Sequence, residues 1–160
     1  MALLALKAQK LIEDGLDVSA VCEEIEKIKL QPKANLIFEK LDYLYKGGRF
    51  NSLLYLGANL LKIRPMIYVK DGVLVAGKKY RGDIVKSVKN YCVDIFDVYK
   101  NPELDTAFVL YTTASQEMID VAYNALKMRG FKEIYITRAN GTITSHCGEH
   151  CIGIIYINKD

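Results

Sequence analysis

Several things are scarce in this chain, and each scarcity narrows its function. No apolar run approaches the ~20 residues that a helix needs to cross a bilayer, so an integral membrane protein is not expected. The opening stretch, MALLALKAQKLIEDG, is apolar on one face but carries Lys7 and Lys10 and has no small-residue cleavage site. It does not read as a signal peptide. Only four cysteines occur, Cys22, Cys92, Cys147 and Cys151, too few for a disulfide-rich framework, so reduced thiols and a cytoplasmic location are expected. The net charge of +3 does not imply nucleic acid, and none is expected as a partner. Between positions 62 and 89, however, Lys62, Arg64, Lys70, Lys78, Lys79, Arg81, Lys86 and Lys89 outnumber Asp71 and Asp83. That segment suits an anionic partner or a phosphate, or is simply a solvated face.

What is present is ordinary globular material. The chain is 51% hydrophobic and 26% charged over 160 residues, enough to bury a core. Leu3, Leu4, Leu6, Leu11 and Ile12 form a helical stripe ended by Gly15. Ser19 is expected to open a second helix with Val21, Cys22, Ile25 and Ile28 inward, closed by Pro32. ANLIFE reads as a strand, KLDYLYKGGRF as a short helix stopped by Gly47-Gly48, and NSLLYLGANLLK as a helix. Asp71-Gly72 between two β-rich runs predicts a hairpin. A helix follows from Asp83 to Tyr99, then a strand TAFVLYTT, a helix from Ser115 to Gly130, and strands KEIYITR and CIGIIYIN. The strand–helix–strand order after Thr106 predicts a parallel pair. The fold class is α/β, a two-layer domain with a mixed sheet of about six strands. The N-terminal helix pair, residues 1–31, stands apart from the domain at 32–160, and its apolar stripes favour self-association.

Ser145-His146-Cys147-Gly148-Glu149-His150-Cys151 holds both histidines and two of the four cysteines. Read as a strand approach, it separates Cys147 from Cys151 by about 13 Å, too far for one metal ion or a disulfide. Cys22 and Cys92 sit in helix stripes and read as buried apolar residues rather than a second ligand pair. The alternative function is a small metal-binding or thiol-redox module built on His146, Cys147, His150 and Cys151. The preferred reading is a loop between two strands that presents Ser145 and His146, with no metal or other cofactor. Arg49 and Arg81, each near a glycine, are planar donors of the kind that meet carboxylates or phosphates.

Three blocks of the chain resemble one family. LDYLYKGGRF resembles the L-x-Y-L-x-K-G-G-R-[IVF] block of the DegV family of fatty-acid-binding proteins. LLKIRPMIYVKDGVLVAGKKYRG looks like that family's next block, with its I-K-P strand, D-G and K-x-R-[GT] end. NGTITSHCGEHCIG is similar to its closing G-P-V-I-G-T-H-T-G-P-G-A-L-G. The resemblance implies the second domain of a two-domain carrier, preceded by a helix pair that belongs to or leads from a first domain. It implies a long-chain fatty acid held between the domains, with His146, Ser145 and Arg49 on the ligand. It also implies a partner, the catalytic subunit of fatty acid kinase, with Arg49, Arg81 and Lys46 suited to that partner or to the phosphoryl group. The carrier itself is not an enzyme, and this chain's ligand site is expected to be incomplete. The chain departs from the pattern at Glu149, where the family has proline, and at His150, where it has glycine. Position 150 is therefore expected to be strained if the family's glycine serves a positive φ.

Overall fold

The computed structural model describes residues 1–48, 63–70 and 72–159. Along the chain, α1 (Ala2–Glu13) and α2 (Val18–Ile28) precede β1 (Pro32–Ile37), α3 (Asp42–Lys46), β2 (Ile63–Lys70) and β3 (Val73–Arg81). Then come α4 (Ile84–Val98), β4 (Pro102–Tyr111), α5 (Gln116–Arg129), β5 (Glu133–Arg138), α6 (Gly141–Cys147) and β6 (Ile152–Asn158). The six strands form one sheet in the order β3-β2-β1-β6-β4-β5. Every neighbouring pair is antiparallel except β4 and β5. The α5 crossover between those two makes the parallel pair possible.

Local chemistry accounts for most element ends. Asp83 and Ser115 cap α4 and α5, their side chains accepting from Lys86 N and Met118 N, each cap worth about 1 kcal/mol. Gly130 ends α5 at φ 98°, in the left-handed region that glycine enters without a Cβ penalty. The second helix starts earlier than Ser19: Asp17 is its cap and accepts from Ala20 N. A carboxylate at that position satisfies an orphan amide as well as a hydroxyl does. β4 starts at Pro102 rather than Thr106, since proline is tolerated as the first residue of a strand. The helix read from NSLLYLGANLLK, with Arg49 before it, and Asp71 of the hairpin lie outside the described residues.

Alternation divides the sheet into two faces. One face turns Ile37, Met66, Ala107, Val109, Ile152, Ile154 and Tyr156 towards α4 and α5, whose Val88, Ile95, Met118, Ala122 and Leu126 complete the main core. Tyr91 of α4 is fully buried there, and its hydroxyl donates to Asn35 O (2.8 Å) while accepting from Ile154 N (3.0 Å). A single phenol thus ties the helix layer to both central strands, its own hydroxyl both donating and accepting. The opposite face carries a second, smaller cluster at the β1–β2 end, made of Phe38, Leu41, Leu44, Ile67, Cys147 and Cys151. At the other end of that face lies α1, with Leu3 buried and Lys7 and Lys10 paired to Glu103 (2.5 Å) and Asp105 (3.6 Å) of β4. Between these ends, Leu36, Phe108, Leu110 and Ile155 form a half-buried apolar strip. Cys22 is exposed on α2, unlike the buried residue its stripe suggested. The helix pair is short and buries only one edge of each apolar stripe.

Candidate functional site

The segment expected to be a loop is a helix. Asn140 caps α6 by accepting from Ile143 N at 3.0 Å. Seven residues rich in Gly, Thr and Ser have low intrinsic helix propensity, so tertiary packing must hold the helix in place. That packing is against α3, and it works through two glycines. A Cβ on Gly47, just past α3, would stand 2.4 Å from His146 Nδ1. A Cβ on Gly148, just past α6, would stand 2.4 Å from Tyr43 Cδ2. Each helix thus lodges a ring where its partner has no side chain. Gly148 also adopts φ 73°, ψ −165°, a region populated almost only by glycine.

Below this interlock is a polar group that joins three elements. Glu39 follows β1; its Oε2 lies 2.8 Å from His150 Nδ1 and its Oε1 accepts from Arg64 Nη2 at 3.2 Å. Arg64 and Glu39 side chains are only 14% and 22% exposed, which makes this pair more consequential than a surface salt bridge. His150 is the one described non-glycine residue with positive φ, at 53°. The strain expected where histidine replaces glycine is therefore present. Its backbone N–H donates to Thr113 Oγ1 (3.2 Å) and its ring meets Glu39, and together these contacts hold it there.

The two thiols of the segment lie in one buried cluster, whereas an extended chain would leave them about 13 Å apart. Helix and tight turn bring Cys147 and Cys151 into one cluster, their sulfurs within hydrogen-bonding reach. That hydrogen bond from Cys151 draws the Cys147 thiol below its ordinary range, while burial pushes Cys151 well above it. Among the described residues, no three His, Cys, Asp or Glu side chains converge in a way that could hold a metal ion.

The other sequence-predicted residues scatter about this end of the sheet. His146 is half-buried, and its Nδ1 is buried without a hydrogen-bond partner. The Arg64 Nε is in the same condition. Buried nitrogens left unsatisfied are the sort of feature a polar ligand group answers. Ser145 is exposed, and its hydroxyl donates to Thr142 O (2.8 Å) within its own helix. Lys46 is exposed at the end of α3. Arg81 closes β3, exposed and paired in register with Ile63, so it sits at the same end of the sheet as Arg64. Arg49 lies outside the described residues. Glu39 and Thr113 carry no motif of their own, and only the fold shows that they belong to the site; Tyr43 lies in the LDYLYKGGRF block, which gives no sign that its ring packs on Gly148. No described helix is long and apolar enough to cross a membrane.

Comparison with known proteins gives a consistent picture. The DegV family model matches residues 1–159. A DegV domain-containing protein of Caldanaerobacter subterraneus is 30% identical over 169 residues, covering 98% of this chain and 56% of the relative. Protein DegV of Bacillus subtilis is 26% identical over 156 residues, covering 97% and 55%. A fatty-acid-binding DegV family protein of Thermus thermophilus superposes with a TM-score of 0.82 at 21% identity, over 98% of this chain and 56% of that one. The Streptococcus pneumoniae Fatty Acid Kinase (Fak) B3 protein, loaded with linoleic acid, gives 0.81 at 22% identity, over 98% and 55%. The chain spans about half the length of the relatives it matches.

Proposed function

The chain belongs to the DegV family, and on that premise we propose that it forms one part of a fatty-acid carrier that presents acyl chains to the catalytic subunit of a fatty acid kinase. The observation that carries this reading is His146, half-buried with its Nδ1 unsatisfied and followed by Cys147, whose cluster Leu36 of the half-buried apolar strip packs against. An acyl chain needs an apolar surface and a carboxylate needs a donor, and this face of the sheet offers both. The likeness to a fatty-acid-binding DegV family protein and to a Fak B3 protein loaded with linoleic acid supports the same reading. His146 takes the carboxylate, with Ser145 and Arg49 beside it. Lys46, Arg49 and Arg81 supply positive charge for the kinase or the phosphoryl group. The chain performs no chemistry of its own on this reading; phosphorylation belongs to the separate kinase in the cytoplasm. Residues 1–31 lead from a first domain that completes the site, and their remaining apolar surface drives self-association when that domain is absent.

Native mass spectrometry with excess palmitic acid tests the proposal. The chain alone is expected to bind the acid weakly, to prefer it over palmitic methyl ester, and to lose about tenfold in affinity in His146→Ala, as loss of a charged hydrogen bond implies. Equal binding of acid and ester, indifferent to His146, would overturn it. One equivalent of zinc by elemental analysis, lost in Cys147→Ser and Cys151→Ser, would instead favour a metal module.

A further inference from the structure

The turn between α6 and β6 contains a pair of thiols that the acyl-binding reading leaves unused. Cys147 is the last residue of α6 and Cys151 immediately precedes β6. The chain reverses between them through Gly148 and His150, both at positive φ. Backbone bonds fix each end. Gly148 N–H donates to Thr144 O (2.8 Å) at the close of α6, and Cys151 exchanges its N–H and carbonyl with Thr112 Oγ1 (3.2 Å) and Thr112 N (3.0 Å). Both side chains enter one cluster with Phe38, Leu41, Leu44 and Ile67. The other two cysteines are placed differently. Cys22 is exposed on α2, and Cys92 lies in the core on the opposite face of the sheet.

We propose that Cys147 and Cys151 form a reversible intrachain disulfide that cross-links the end of α6 to the start of β6. The block that the chain resembles has threonine and alanine at these two positions, so the pair is a property of this chain and not of the family pattern. Cys147 is 9% exposed and Cys151 1%, which makes Cys147 the thiol that meets an oxidant. With a low-molecular-weight disulfide such as oxidised glutathione, the Cys147 thiolate attacks one sulfur and releases one glutathione thiolate, leaving a mixed disulfide. Cys151 then gives up its proton and attacks the Cys147 sulfur, and the second glutathione leaves. Two protein thiols are oxidised, one glutathione disulfide is reduced to two thiols, and the two protons end on those thiols. The hydrogen bond from Cys151 favours the first thiolate. The cross-link fixes the end of α6, whose His146 packs on Gly47 just past α3. This chemistry does not depend on an acyl ligand.

The test is a Cys22→Ser chain equilibrated with oxidised glutathione, then denatured, its free thiols counted and its peptides mapped. The expected result is loss of two thiols and two hydrogens of mass, a peptide linking Cys147 to Cys151, and full reversal by dithiothreitol. Amide exchange across 141–151 should slow in the oxidised form. Cys147→Ser and Cys151→Ser should each abolish the linked peptide. Peptide mapping of the chain that retains both cysteines stands whether or not those variants fold. A glutathione adduct that persists on Cys147 without closure would overturn the proposal, as would finding both thiols still free.

Discussion

His146 and Gly47 share one space: a methyl group on Gly47 would stand 2.4 Å from His146 Nδ1. Gly47 has an ordinary φ of −78°, so alanine there meets steric overlap and no backbone strain. Gly47→Ala is expected to cost about 1–3 kcal/mol, the usual range for overpacking, measured by urea denaturation. In Gly47→Ala combined with His146→Ala much of that loss should return, because the ring causes it. A double variant no more stable than Gly47→Ala would refute the contact.

Gly148 carries two constraints where Gly47 carries one. Its φ and ψ suit only glycine, and Tyr43 fills the space a side chain would need. Gly148→Ala should therefore destabilise more than Gly47→Ala, with about 1–3 kcal/mol from strain alone. Removing the ring in Tyr43→Ala should relieve the overlap and leave the strain. Full rescue by Tyr43→Ala would show that the backbone conformation is not costly.

Glu39 bridges Arg64 and His150 from a largely buried position. Glu39→Ala leaves the guanidinium with a buried Nε that already lacks a partner, and a loss of about 1–3 kcal/mol is expected. Glu24, which pairs with Lys27 on an exposed helix surface, is the control, and Glu24→Ala should cost no more than about 1 kcal/mol. Equal effects in thermal denaturation would place Glu39 among ordinary surface residues.

Thiol reactivity should separate Cys22 from Cys92. Burial on the core face of α4 pushes the Cys92 thiol up to about 12, whereas Cys22 is exposed. Iodoacetamide at mildly alkaline pH should label Cys22 first and leave Cys92 until the chain opens, because the thiolate is the nucleophile. Peptide mapping over time checks the order, and comparable rates for the two would contradict the burial of Cys92.

Asp105 links α1 to the sheet in a pH-dependent way. The Lys132 ammonium, hydrogen-bonded to it at 2.6 Å, holds its carboxyl below the usual range, with Lys10 and Lys7 adding to the effect. A depressed folded value means that the stabilisation is fully present above the unfolded value of about 3.9. It is lost as pH falls from there through the folded value. Asp105→Asn should remove about 0.2–1 kcal/mol at neutral pH, in keeping with a partly exposed pair, and flatten the acid limb of the stability profile. An unchanged acid limb would mean that Asp105 contributes nothing there.

Much of the fold was legible because its signals are local. The caps at Asp83 and Ser115, the stop at Gly130 and the continuous apolar run of β6 each depend on neighbours a few residues away, which is the range over which side chains compete for backbone partners. The segment 141–147 was misjudged because nothing local favours a helix there beyond Asn140. Packing of His146 on Gly47 and of Tyr43 on Gly148 supplies the rest. Cys22 was misjudged because a helical stripe shows that a helix is amphipathic and does not show what covers it.

By itself, then, the sequence determined the order of the strands and of the described helices other than α6, the mixed sheet, and the family resemblance through its three glycine-bearing blocks. It also marked position 150 as strained, since the requirement for positive φ belongs to the backbone of one residue. Only the tertiary structure decided that Cys147 and Cys151 share one buried cluster, that Glu39 joins Arg64 to His150, and that His146 packs its unsatisfied Nδ1 on Gly47. Those outcomes depend on the chain reversing through Gly148 and on α3, β1 and β2 arriving from far along the sequence. Such contacts follow from how the elements pack, and no short-range pattern encodes them.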